Sequence, residues 1–272
     1  MESRRNSSVN VVLEWIEKQS RGVKILIGVA FVVLVLVAFK LCLRDEFHFL
    51  YFVSQLAHIE GMIALIYKLI KKKTCSGLSL KSQEVTAISL AVKICCSFSF
   101  PHYLLAVLDL AVLVPTIWVI YMIRYKLKST YVKDHDDMAL KKLVIPAAVL
   151  AILVRPRSTD YIHTIPWAFW IYLESVSVLP QLRLIQNAKM VEPFTAHYLF
   201  ALGVTRILGC AFWIIMLIES HGEYLFFFGN GSLWTLMNFI AAIVQTFILV
   251  DFCYYYVKSI IAGQLSVLPL PV

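Results

Sequence analysis

The chain has 272 residues, of which 60% are hydrophobic and 15% charged. An ordinary soluble domain carries about 25% charged residues, so composition excludes that class, and a mean hydropathy of +0.77 agrees. The apolar runs are continuous rather than alternating, which argues for spanning α-helices over a β-barrel and makes the lipid bilayer the first partner. The net charge of +8 does not point to nucleic acid, because the basic residues sit at the ends of apolar runs, where cytosolic loops carry them.

Residues 1–22 are polar and basic, with Arg4, Arg5, Lys18 and Arg21, and Val9 to Ile16 could form a short surface helix. The uncharged run Ile25 to Phe39 is bracketed by Lys24 and Lys40. No small-residue cleavage site follows it, so it is expected to be a retained signal anchor with its basic end in the cytosol. Phe47 to Ile70 is the next span, carrying His58 and Glu60 and ending in Lys71, Lys72 and Lys73. A third span is expected over Gln83 to Phe100 with Lys93 inside it, a tight return at Pro101 and His102, and a fourth over Tyr103 to Ile123 containing Asp109. The charged loop Arg124 to Lys142 should face the cytosol. Leu143 to Val154 is short but crosses with its flanks, and spans at about 164–185, 195–219 and 233–257 complete the set. The resulting domains are an N-terminal segment and anchor over 1–46, a seven-span body over 47–258 and a cytosolic tail over 259–272.

The body is organised around His163 to Trp213. Two apolar runs there flank a polar hinge, with Glu174, Pro180 and Gln181 in the first and Arg206 in the second. A charge in lipid costs roughly 2.5–3.5 kcal/mol on the insertion scale, so such groups usually face a bundle interior or a wet cavity. A proline within a span frees a carbonyl that a neighbour or water must satisfy. Three matched pairs, Ser82 with Thr195, Lys93 with Arg206 and Tyr67 with Pro180, are each 113 residues apart. Two three-helix units joined by a linking span would produce that repeat. The six cysteines, at 42, 75, 95, 96, 210 and 253, form no CxxC and read as reduced core residues. No cofactor, metal, nucleophile–base or phosphate-loop signature appears, so an enzyme is not expected.

Several strings carry a resemblance: CSGLSLKSQ (75–83), KSTY followed by HD (128–136), IYLESVSVLPQL (171–182), TAHYLF with LG (195–203) and VQT with DF and YYYV (244–257). In this order, over roughly residues 47–268, they resemble the KDEL receptor family, which retains soluble proteins in the ER lumen. The resemblance implies a seven-helix KDEL-receptor/SWEET-like bundle of two three-helix units plus a linking helix, here with an additional N-terminal transmembrane anchor. It also implies a polar intramembrane cavity that takes a C-terminal Lys/His-Asp-Glu-Leu tail from the lumen. Capture is favoured at the lower pH of the Golgi and release at that of the ER, through a histidine, the natural switch for that interval.

Residue by residue, the resemblance makes His58 the pH sensor, Arg206 a cavity arginine, Trp167 a cavity tryptophan, Glu174 the acidic residue of the fifth family span and Asp251 a conformational ion partner on the last. Tyr51 and Lys93 stand where the family has its other two cavity arginines. Cys96, Ile94, Thr164 and Thr205 replace an aspartate, a tyrosine, a glutamate and a further tyrosine. Ser259, Ala262 and Gln264 occupy positions where coat-binding lysines are expected, which leaves engagement of the vesicle coat open. The expected ligand site is therefore Arg206, Lys93, Trp167, Tyr51 and Glu174, in a receptor of ER and Golgi membranes with altered or weakened signal recognition. The alternative reading is a small-solute or amino-acid transporter on the same bundle, since a fold does not by itself fix a function.

Overall fold

The computed structural model describes residues 46–97, 103–156, 160–188, 192–219 and 233–261. The expected anchor, the return at Pro101 and the last eleven residues lie outside them. The chain divides into two compact units, residues 1–49 and 50–272. The first is described only over the opening turn of a helix, and the site below lies within the second.

Eight α-helices follow one another among the described residues: α1 (Glu46–Lys71), α2 (Leu80–Ser97), α3 (Tyr103–Tyr121), α4 (Lys141–Leu153), α5 (Tyr161–Val176), α6 (Leu179–Ala188), α7 (Pro193–Glu219) and α8 (Leu233–Ile261). A π-helical turn extends α3 to Lys126, and two 3-10 turns cross the charged loop to α4. Helices predominate because a backbone in lipid must satisfy its polar groups within each segment. By length and composition α1, α3, α7 and α8 are each capable of crossing a membrane. The bundle is apolar outward as well as inward: Ile63, Val114, Ile152 and Phe247 are 59–72% exposed. Large apolar side chains in that number mark a surface meant for lipid.

Helices α5 and α6 form one interrupted rod, as Pro180 led us to expect. The break falls at Ser177, whose N–H and Oγ both turn back to the Glu174 carbonyl, at 3.2 and 2.8 Å. Pro180 then sits in the first turn of α6, where a missing N–H costs least. The carbonyl of Ser177 accepts the Ser82 hydroxyl of α2 at 2.7 Å, so the break is bonded by a neighbouring helix. Helix α8 runs to Ile261, slightly past the expected start of the tail.

The internal repeat has a structural counterpart in exchanged contacts at the basic end of the bundle, near Lys71. Lys68 and Gln181 are 113 residues apart, as are Ser79 and Glu192. Gln181 accepts from the Ser79 N–H at 2.8 Å and donates to the Gly77 carbonyl at 2.7 Å. Lys68, fully buried, pairs with Glu192 at 2.6 Å and donates to Thr195 Oγ1 and the Ser76 carbonyl. Each unit therefore reaches into the loop of the other from an equivalent position. Asp136 completes this end, accepting from Ser79 Oγ, Tyr131 Oη and the Lys81 N–H. The loop-borne His135-Asp136 pair thus has a structural use. Burial, with the bond to Asp136, pushes the Tyr131 hydroxyl pKa up, and burial likewise raises that of the Cys75 thiol.

The core is continuous from α1 through α7 to α8, around Leu65, Tyr198, Leu199 and Leu249, with a second cluster joining α2, α4 and α5. Gly61 allows a close approach of α1 to α7, because a Cβ there would stand 2.8 Å from Ala201 Cβ. Small residues at such crossings are how spanning helices gain packing when lipid supplies no hydrophobic drive. The five described cysteines are free; Cys75, Cys96 and Cys253 are buried as expected, whereas Cys95 is exposed on α2.

Candidate functional site

A cavity of about 500 Å³ opens at the end of the bundle away from Lys71. Helical spacing assembles its walls. Tyr51, Ser54, Gln55 and His58 fall on one face of α1, and Trp167, Trp170 and Glu174 on one face of α5, because positions three, four and seven apart share a side. Lys93 comes from α2, Asp109 from α3, Arg206 from α7, and Trp234, Asn238 and Gln245 from α8. The structure thus brings together Arg206, Lys93, Trp167, Tyr51, Glu174 and His58.

Two charge pairs dominate. Arg206 Nη1 donates to Glu174 Oε1 at 2.6 Å, with Arg206 itself only 8% exposed. Glu174 therefore serves at least as the counter-ion of the central arginine. On the opposite side Lys93 Nζ lies 2.9 Å from Asp109 Oδ1 and donates to Tyr51 Oη at 2.9 Å. Tyr51 donates to the same Asp109 oxygen at 2.6 Å, and Gln55 Nε2 reaches both Tyr51 Oη and Asp109 Oδ1. The ammonium also lies 4.9 and 5.1 Å from the ring centroids of Tyr51 and Trp170, within cation–π range. Two cations and two carboxylates thus face one another across aromatic walls.

Several buried atoms beside these pairs have no partner among the described residues: Gln55 Oε1, Asp109 Oδ2, His58 Nε2 and Trp170 Nε1. Native proteins leave few buried polar atoms unsatisfied, and such atoms at a cavity are natural contacts for water or a ligand. His58 is 4% exposed on the cavity wall, where it would feel the charges of both pairs.

Asp109 carried no assigned role in the sequence. Arg124 pairs with Glu84, and Lys93 with Asp109, so α2 and α3 run antiparallel with Lys93 and Asp109 level near their joining ends. Gln55, Trp170, Trp213 and Trp234 were also missed, since an aromatic or amide in an apolar run looks like packing until the face it shares is known.

Asp251 stands apart from this cluster. It is exposed on α8, outside the cavity lining, and makes no ion pair among the described residues. The inward position belongs to the next residue, Phe252, which stands seven after Gln245 and is 3% exposed. The substituted positions also have structural partners. Thr205 Oγ1 donates to the Ser54 carbonyl at 3.1 Å, and Ser54 Oγ to the Thr205 carbonyl at 3.3 Å, tying α1 to α7. Thr164 accepts from Arg155 at 3.3 Å near the start of α5.

The sequence model of the ER lumen protein retaining receptor family matches residues 74–216. An ER lumen protein-retaining receptor of Drosophila melanogaster is 33% identical over 223 residues, covering 80% of this chain and 97% of that protein. ER lumen protein-retaining receptor 3 of Mus musculus is 32% identical over 223 residues, with the same coverage of 80% and 97%. The ER lumen protein-retaining receptor of Entamoeba histolytica is 32% identical over 218 residues, covering 79% and 96%.

Proposed function

The chain belongs to the ER lumen protein-retaining receptor family, and from that premise we propose that it captures C-terminal tails of lumenal proteins in its intramembrane cavity. It is a receptor-family membrane protein rather than an enzyme. In this reading the basic end, with Lys71 to Lys73, faces the cytosol, the cavity opens to the lumen, and the protein cycles between Golgi and ER membranes. The observation that carries the reading is Arg206: a buried guanidinium that lines an open cavity and is paired with one carboxylate. Guanidinium and carboxylate match through two parallel hydrogen bonds, so Arg206 is the residue suited to a chain-end carboxylate.

The same cavity supports altered recognition. Tyr51 and Lys93 replace two guanidinium groups with a phenol and a point charge, and both are already engaged by Asp109. His58 is positioned to couple capture to pH, because a positive charge arising on it would change the field at Arg206 and Glu174.

The test is titration of the purified protein in lipid nanodiscs with C-terminal tail peptides, each with a free or an amidated end, at pH 5.5 and 7.4. Binding that needs the free carboxylate and is tighter at the lower pH is expected. No binding of any tail, together with uptake of a labelled solute by proteoliposomes, would replace the receptor with a transporter.

A further inference from the structure

We propose that Asp109 acts as a built-in anionic occupant of the Lys93 side of the cavity. The ligand is then a tail with a single carboxylate, its own chain end, and uncharged hydrogen-bonding side chains. This inference rests on the tail-receptor reading and names the class of tail.

The argument starts from the donors of Lys93. An ammonium has three N–H groups and no acceptor. One is directed to Asp109 Oδ1 and one to Tyr51 Oη, each at 2.9 Å, while the Tyr51 and Trp170 rings flank the ammonium. Tyr51 spends its one proton on Asp109 at 2.6 Å, and Gln55 Nε2 donates to Asp109 at 2.7 Å. Lys93, Tyr51 and Gln55 therefore each already direct a donor to Asp109 Oδ1, which leaves the neutral indole N–H of Trp170 as a donor without a partner among the described residues on this side.

The unpartnered oxygens have the opposite character. Among the described residues Asp109 Oδ2 and Gln55 Oε1 have no partner, and both are acceptors. An acidic side chain brought here would set acceptor against acceptor and add a second negative charge beside Asp109. An amide or hydroxyl side chain would instead donate to these atoms. Lys93 and Asp109, like Arg206 and Glu174, cancel formally, so the cavity offers no excess positive charge to offset the three carboxylates of an Asp-Glu-Leu end. Arg206 alone is left to hold a chain-end carboxylate.

The experiment compares three peptides on the full-length protein in nanodiscs: one ending Lys-Asp-Glu-Leu, one ending Lys-Asn-Gln-Leu, and the second with an amidated end. Wild type is expected to bind Lys-Asn-Gln-Leu at least as tightly as Lys-Asp-Glu-Leu and to lose the amidated form. In Asp109→Asn, Lys93 is released, and the acidic tail should gain about tenfold or more relative to the neutral one, roughly 1.4 kcal/mol or above. A wild-type preference of about tenfold for the acidic tail, or an unchanged ratio in Asp109→Asn, overturns the inference while leaving tail capture intact. Absence of binding by all peptides to both proteins overturns the receptor reading and the inference together. The wild-type ranking decides the matter without the variant, so a poorly folded Asp109→Asn would not remove the test.

Discussion

The two ends of the bundle handle buried charge in different ways. At the basic end, Lys68, Ser79 and Gln181 are each 0% exposed, and their polar side chains are bonded across the two repeat units. At the cavity end, Lys93 and Arg206 are 9% and 8% exposed, line an open space, and stand beside buried atoms with no partner among the described residues. A fully buried lysine bonded to several partners fixes one packing, whereas a pair on a cavity wall leaves capacity for something else to bind. Charge in the membrane is therefore ambiguous until its surroundings are known: the basic end uses it to hold two units together, the cavity end to meet a ligand.

The strongest test of that contrast is Arg206→Ala. Truncating one partner of a buried charge pair costs about 2–5 kcal/mol, which is roughly 30- to 3,000-fold in affinity. We expect tail binding, followed by calorimetry, to fall by that factor while the melting temperature in detergent changes little, because cavity water can solvate Glu174. A large drop in melting temperature would make Arg206 a packing residue and erase the difference between the two ends.

Lys68→Met should do the reverse. Breaking a fully buried pair costs about 3–5 kcal/mol. Glu192 keeps 28% of its side chain exposed, so about 2–3 kcal/mol of stability should be lost. The tail affinity of the folded fraction should stay within a few-fold of wild type. Strong loss of binding without loss of stability would mean that the basic end controls the cavity, and the contrast would fail.

These two lysines also show how much of the molecule was legible in its sequence. The spans were readable because lipid demands long apolar runs and each run left an unbroken signature. Lys93, Arg206 and Glu174 were readable because a charge inside such a run is costly and invites explanation. Lys68 was not, since it stands three residues before Lys71 to Lys73 and reads as one more basic residue at a span end. Asp109 was visible but had no partner in a linear reading, because its meaning depends on the register between α2 and α3. Asp251, exposed on α8 and outside the cavity lining, shows the opposite difficulty. Matching along the chain fixes position but not which way a helical residue faces, and one residue is about 100° of rotation.

A smaller effect is expected at the α1–α7 crossing, which both ends share. A Cβ on Gly61 would meet Ala201 Cβ at 2.8 Å and the Tyr198 ring and carbonyl at 3.3 Å. Gly61→Val would force the helices apart at a cost of about 1–3 kcal/mol. His58 lies less than one turn away, so pH-dependent tail binding should weaken along with stability, whereas Gly61→Ala should do less of both. Unchanged melting and binding in Gly61→Val would show that α1 does not hold the cavity wall by close packing.

The smallest effect belongs to Asp160, outside the spans at the start of α5, and it sharpens the assignment of pH sensing. Its carboxylate accepts from the His163 N–H at 3.4 Å and pairs with His163 Nδ1 at 2.5 Å, capping the helix. The bond from His163 holds the Asp160 carboxyl below its usual value of 3.8. A carboxyl with a depressed folded pKa contributes stability that is fully present above the unfolded value and is lost as pH falls through the folded one. The contribution of this carboxyl is therefore constant from pH 7.4 to 5.5 and fades only below about pH 4. Asp160→Asn keeps a capping oxygen, so its melting temperature should fall slightly at neutral pH and converge on wild type in acid. Its tail binding should retain the wild-type dependence between pH 5.5 and 7.4, whereas His58→Ala should flatten it. Loss of the dependence in Asp160→Asn would move the sensor from the cavity wall to the start of α5.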